Sequence, residues 1–203
     1  MTLLCSKSMY LKQVLRSNLI LLVFLVYWVT CSPPADPIKC SSKNTNCTIT
    51  NYYGMFSDGS VCQVAEALYP TTEEELISIV AKATRNKRKM KVATHSSHSL
   101  PKFVCPDGQD GLLISTKYLN RTLKIDVKAM TITVESGVTL RQLIDEAAKV
   151  GLALPYTPYW WGIIIGGLVS TGPHDSTLWG KGSSVHDYIV KLRIISSAGP
   201  EDG

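Results

Sequence analysis

Two short stretches gather the side chains with the most chemical capability. Thr94-His95-Ser96-Ser97-His98-Ser99 sets two imidazoles among hydroxyls, and Gly166-Gly167-Leu168-Val169-Ser170-Thr171-Gly172-Pro173-His174 mixes small residues, hydroxyls and a further imidazole. Loops of small residues expose backbone N–H groups, so a phosphate can approach them with little steric obstruction. Two such loops, separated by β structure and a helix, suit a dinucleotide with a long pyrophosphate-linked body. Each alone also reads as an ordinary turn, with glycine supplying positive φ and His98 or His174 a hydrogen bond. Composition by itself favours that plainer reading.

Other chemistries need residues that are not in place. Ser96, Ser97 and Ser99 lie beside His95 and His98, yet the chain has no G-x-S-x-G elbow to lift a serine nucleophile out of a strand-to-helix turn. His95, His98, His174 and His186 are candidate metal ligands, but the H-x-x-H spacing falls in a loop and no nearby carboxylate completes a set, so no metal is expected.

The elements that must position these loops are legible between them. Thr72 followed by Glu75 forms a capping box, Glu73 and Glu74 favour a helix N-terminus, and Leu76, Ile79, Val80 and Ala83 recur at helical spacing. A short strand is predicted over Met90 to Ala93, leading into the Ser/His loop. Gly111 to Thr116, Leu123 to Val127 and Thr131 to Glu135 are β-type runs, read as a small antiparallel set. Thr139 with Gln142 opens a second helix, Leu140, Leu143, Ile144 and Ala147 face inward, and Gly151 fits its stop. An aromatic stretch, Tyr156-Thr157-Pro158-Tyr159-Trp160-Trp161, then precedes the Gly-rich one, and Val185 to Ile195 is read as a strand.

The chain of 203 residues is 45% apolar and 18% charged, which excludes wholesale disorder. Leu19 to Val29 is an unbroken apolar run preceded by Lys7, Lys12 and Arg16 and followed by small residues, the layout of a secretory signal peptide over 1–31. It is shorter than the ~20 residues that a spanning helix needs. Without the leader, 18 basic residues face 16 acidic ones, so the basicity belongs mostly to the leader. Arg85, Lys87, Arg88, Lys89 and Lys91 then read as a solvated helix end rather than a nucleic-acid patch.

Cys40, Cys47, Cys62 and Cys105 form an even set suited to an oxidising compartment, so two disulfides are expected, with three pairings open. Residues 32–58 are read as an irregular, disulfide-pinned segment. Asn46 and Asn120 head glycosylation sequons.

Beyond these local signals, the run KVATHSSHSLPKFVCP from Lys91, then VESGVTLRQLIDEAAKVGLALPYTPYWWG and GGLVSTGPHDSTLWGKGSSVHDY, resembles the FAD-binding domain of vanillyl-alcohol-oxidase-type (PCMH-type) flavoproteins. More narrowly it is similar to the secreted L-gulono-1,4-lactone oxidase-like proteins of plants. The resemblance implies an α+β fold: a PCMH-type FAD-binding domain over 59–203, of two α+β subdomains, the first ending near Ala93 and the second beginning after Cys105. It further implies a chain truncated before a C-terminal substrate domain. The family's phosphate-cradling loop maps onto Thr94, His95, Ser96, Ser97, His98 and Ser99, with His98 able to tether FAD covalently. A second cradle maps onto Gly166, Gly167, Ser170, Thr171, Gly172 and His174.

The activity so implied is oxidation of a sugar lactone's C2 alcohol by hydride transfer to flavin, with oxygen as acceptor, yielding hydrogen peroxide and an ascorbate precursor. The general base would lie outside these residues. Thr94 to Ser97 stand where relatives often carry glycines, Pro173 removes one N–H donor, and Asp175 brings negative charge near the flavin. Pro173 gives weak support to oxidase chemistry. The partners implied are sugar lactone and oxygen, with neither nucleic acid nor, after leader cleavage, membrane. Alternative readings are another secreted sugar-alcohol oxidase, a cytokinin dehydrogenase relative, or a non-catalytic secreted module retaining the fold.

Overall fold

A computed structural model describes residues 36–50, 61–93, 103–106, 109–174 and 184–197, all within one compact unit, 35–203. The segment 1–31, expected to be a leader, and the Ser/His loop at 94–99 lie outside the described residues. The chain opens with a hairpin, β1 (Ile38–Ser42) and β2 (Thr45–Ile49), paired antiparallel with Cys40 opposite Cys47 and bridged by a disulfide between them. The described part of the 32–58 segment is thus regular β structure, a correction to the irregular reading. Its polar residues lie on the exposed side, while Ile38, Cys47 and Ile49 supply the buried one.

β3 (Cys62–Leu68) adds antiparallel to β2, α1 (Glu73–Arg85) follows, and β4 (Met90–Ala93) and β5 (Leu112–Ser115) complete a sheet ordered β1-β2-β3-β5-β4. β5 runs parallel to both β3 and β4 and lies between them. It therefore does not join β6 (Thr122–Asp126) and β7 (Thr131–Val134), which among the described residues pair with each other, antiparallel. The physical reason is that every residue of β5 is buried. Leu112 and Ile114 pack on Val80 and Ala83 of α1, while Leu113 faces Val64, Ala67 and Ala93 on the other side. A strand covered on both faces belongs in the interior of a sheet. For the same reason the first α+β subdomain runs on to Ser115 instead of ending near Ala93.

Both helices begin as their caps dictate. Thr72 accepts from the Glu75 N–H at 3.2 Å, but Glu75 reaches back to the N–H and hydroxyl of Thr71 rather than of Thr72. α2 (Leu140–Lys149) has the complete box: Gln142 N–H donates to Thr139 Oγ1 and Thr139 N–H to Gln142 Oε1. Its far end closes with Gly151 at φ +74° and the paired bonds Leu152 N–H to Ala147 O and Gly151 N–H to Ala148 O. Leu140, Leu143 and Leu168 bury together with Val138 and Val185, against Ile132 and Val134 of the β6–β7 hairpin.

After α3 (Ile165–Thr171) the last described stretch differs from the expected strand. Val185–Tyr188 is a 3-10 turn capped by Ser184, and 189–197 carries no ladder. The strand-like composition is there, but a strand exists only where a neighbour takes up its N–H and C=O groups. The second disulfide joins Cys62 at the start of β3 to Cys105, which leaves Cys40–Cys47 and Cys62–Cys105 as the pairing.

Candidate cofactor-binding site

The carboxyl ends of β3, β4 and β5 lie along one edge of the sheet, where ligands of open parallel sheets gather. The Ser/His loop starts from that edge. Its root, Ala93, is buried, pairs in register with Ser115, and accepts a hydrogen bond from the Thr116 N–H at 3.4 Å. The loop's return is fixed too: Val104 is buried in the sheet's core, and Cys105 is bonded to Cys62. Thr94, His95, Ser96, Ser97, His98 and Ser99 themselves lie outside the described residues.

Two glycine contacts carry this edge across to the second loop. At Gly137 a Cβ would sit 2.1 Å from Thr116 O and 2.6 Å from Leu119 O, and the Gly137 N–H donates to Leu119 O at 2.7 Å. At Gly166 a Cβ would come within 3.1 Å of Ser136 Cβ and 3.2 Å of Ser136 O. The turn after β5, the turn after β7 and the start of α3 are thereby pressed backbone to backbone, which brings the root of the first loop to the neighbourhood of the second.

Backbone hydrogen bonds lock that second region. Leu140 and Arg141, opening α2, donate to Ile163 O and Trp161 O, while Ile165 and Gly166, opening α3, donate to Val138 O and Ser136 O. Each helix thus gives its first free N–H groups to the strand-like segment that leads into the other. Those of Ile165 and Gly166 are consequently already engaged.

Gly166, Gly167, Ser170, Thr171 and Gly172 fall together on or at the end of α3. Ser170 and Thr171 are exposed, and their hydroxyls donate to Gly166 O at 2.7 Å and Gly167 O at 2.8 Å, leaving their oxygens as acceptors until they rotate. Gly172 adopts the left-handed conformation that ends α3, with φ +61°. His174 is exposed, and its backbone bridges to Ser184.

Three residues of the region escape a reading by motif. His186 packs its ring against Gly172, approaches Val169 O through Nε2 at 2.6 Å and Ser184 Oγ through Nδ1 at 2.8 Å. A carbonyl only accepts, so Nε2 carries a proton and donates to Val169 O. Gly137 follows a strand within Glu135-Ser136-Gly137, a turn signal that marks it for close approach. Thr116 is 6% exposed, and among the described residues its Oγ1 has no hydrogen-bond partner. A buried hydroxyl without a partner at the carboxyl edge, with exposed hydroxyls across the glycine contact, fits a ligand rich in phosphate and ribose oxygens.

A shallow cleft opens on the same edge beside Tyr69, Lys117 and Tyr118. Lys117 donates to Asp36 at 2.9 Å, and that bond holds its ammonium above the ordinary value. Burial, with Asp36 nearby, pushes the Tyr69 phenol up to about 12. Among the described residues no group of three or more His, Cys, Asp or Glu could hold a metal ion, and no helix is long and apolar enough to cross a membrane.

Comparison with known proteins bears directly on this arrangement. The FAD binding domain family matches residues 64–200, a span holding both loops and the edge between them. The chain belongs to that FAD-binding family. FAD is accordingly its cofactor. The chain is 63% identical over 179 residues to a protein named probable L-gulonolactone oxidase 6 of Arabidopsis thaliana, covering 88% of this chain and 30% of that one. L-gulonolactone oxidase 5 of the same plant is 62% identical over the same shares, and L-gulonolactone oxidase of Bos taurus is 29% identical over 64% of this chain. The FAD-binding chain spans 30% of the length of these plant relatives. A solved alkyldihydroxyacetonephosphate synthase, 20% identical, superposes with a TM-score of 0.58 over 67% of this chain and 25% of its own, which shows the shared α+β fold.

Proposed function

We propose that this chain is the flavin-binding portion of a secreted FAD-dependent oxidase acting on L-gulono-1,4-lactone, with oxygen as electron acceptor and hydrogen peroxide and an ascorbate precursor as products. The observation that carries the reading is the 63% identity to a relative named for that activity, over 88% of the chain and through both loops. When bound, FAD supplies the two-electron chemistry, and the protein supplies position and electrostatics. Ser170 and Thr171 would orient its polar body from α3, and Thr116 would satisfy it from the sheet edge. Gly137 and Gly166 hold those two walls at backbone distance. His98 is assigned the covalent tether, on a loop whose root and return are fixed by Ala93 and by the Cys62–Cys105 bond.

The two disulfides support passage through an oxidising compartment, as does the 1–31 leader. Asn46 and Asn120, both exposed, are available to carry glycans there. The test is the intact mass of the protein recovered from the medium of a eukaryotic secretion host, deglycosylated and denatured. The expected mass is the chain cleaved after Cys31 plus one FAD, and a His98→Ala variant should lose the covalent increment while still exporting. A cleaved chain without flavin absorbance in the native preparation would overturn flavin binding. Flavin that survives denaturation on His98→Ala would overturn only the tether.

A further inference from the structure

The β1–β2 hairpin sets a glycosylation sequon and a disulfide on the same residues. Cys47 is the middle residue of Asn46-Cys47-Thr48, and it is bonded to Cys40, 7 positions away in sequence. Glycan transfer to such a sequon is a substitution at the sugar. The asparagine Nδ2 bonds to C1 of an oligosaccharide, the C1–O bond to its lipid pyrophosphate breaks, the amide gives up one proton and the lipid pyrophosphate leaves. The step needs the amide and the hydroxyl two residues on to be offered together on a surface loop.

The closed hairpin withholds both groups. Asn46 Nδ2 donates to Ser41 Oγ at 3.3 Å and the Thr48 hydroxyl donates to Lys39 O at 3.3 Å, each across to β1. Cys47 is fully buried, and Cys47 and Thr48 pair with β1 on one side and with β3 on the other. A strand with a partner on each side cannot be drawn out as a loop without undoing both ladders. The Cys40–Cys47 bond fastens the β1 side, and it needs neither β3 nor Cys105 in order to form. Asn120 is the contrast. It is exposed, lies in no strand, and no cysteine follows Cys105 in the chain.

We propose that the Cys40–Cys47 disulfide governs glycosylation of Asn46: a lipid-linked oligosaccharide is accepted only while both cysteines are thiols, so the protein is made in two forms, with and without a glycan there. Asn46 is exposed in the closed hairpin, so the bond blocks the transfer and not the glycosylated product. The inference rests on the secretory reading above for its compartment. The experiment measures occupancy at Asn46 and Asn120 by mass spectrometry of peptides released with peptide N-glycosidase in heavy-oxygen water. It takes total protein from a eukaryotic secretion host, cell-retained material included, so the readout does not require a folded product. The chain is expressed behind its own residues 1–31 and, in parallel, behind a leader of known export.

Asn46 should be partly filled and Asn120 filled. Cys40→Ser, which leaves the sequon intact, should raise Asn46 to the level of Asn120, and dithiothreitol given to wild-type cells during synthesis should do the same. Replacing Cys62 and Cys105 together with serine removes the other disulfide and should leave Asn46 as in the wild type. Occupancy of Asn46 unmoved by both Cys40→Ser and dithiothreitol, or already equal to that of Asn120 in the wild type, would overturn the proposal. An equal rise on loss of the Cys62–Cys105 pair would overturn it in favour of folding in general. Asn120 empty behind residues 1–31 but filled behind the known leader would strike the secretory reading alone, and Asn46 in the second preparation would still decide this one.

Discussion

Gly137 shows how one missing side chain sets the geometry of a site. A methyl group there would overlap two carbonyl oxygens, Thr116 O and Leu119 O, and backbone yields less readily than a flexible side chain. Gly137→Ala should cost about 3 kcal/mol or more in urea unfolding. Gly151→Ala should cost only about 1 kcal/mol, because space is open and the left-handed φ is the sole penalty. Equal costs for the two would mean that the turn after β7 does not press on the turn after β5. Tyr69 makes a different prediction. Its phenol titrates near 10 when exposed and at about 12 here, so the folded protein binds the proton more tightly than the unfolded chain. The stability so gained is fully present below about pH 10 and is lost as pH rises towards 12. Lys117, raised by Asp36, acts in the same direction. Tyr69→Phe should therefore flatten the alkaline fall in the urea midpoint, and an unchanged fall would refute the assignment.

At the scale of elements, what was legible depended on whether the signal is local. α1 and α2 are local: Thr72 and Thr139 start them, Gly151 ends the second, and Val80, Ala83, Leu143 and Ala147 recur at helical spacing. β6 and β7 alternate and turn back on themselves, so their pairing is local as well. β3 gave no such sign, since CQVAEAL carries Gln, Glu and two Ala, and it is a strand because β2 and β5 flank it. Ile189 to Ile195 is the converse, with strand-forming residues and no ladder. The direction of β5 had one available clue, the continuous apolar LLI, which marks a strand covered on both faces. Of the candidate site, the Gly-rich segment reads as a loop in the sequence, and the structure makes most of it the helix α3. Thr116 and Gly137 carry no motif, and the sequence marks His186 only as a candidate metal ligand, because each matters through a contact with residues distant in sequence.

At the scale of the molecule, two cross-links of unequal reach staple the described residues. Cys40 and Cys47 are 7 residues apart and Cys62 and Cys105 are 43 apart. In the chain-entropy picture the longer loop restrains the unfolded ensemble more, by about 1.6 kcal/mol. Replacing both members of the Cys62–Cys105 pair with serine should thus lower the urea stability more than the same change at Cys40–Cys47, and the reverse order would rule out that picture. The sheet order also bears on synthesis. Translation lays down β4 before β5, yet β5 is the strand that β4 pairs with, and it is inserted between β4 and β3. On a growing chain the root of the Ser/His loop therefore has no ladder until residues 112–115 have followed, whereas the β1–β2 hairpin can close as soon as it emerges. Cys40, Cys47 and Cys62 are all made well before Cys105. The quick closure of the hairpin takes two of them out of circulation and keeps Cys62 for the partner that arrives last.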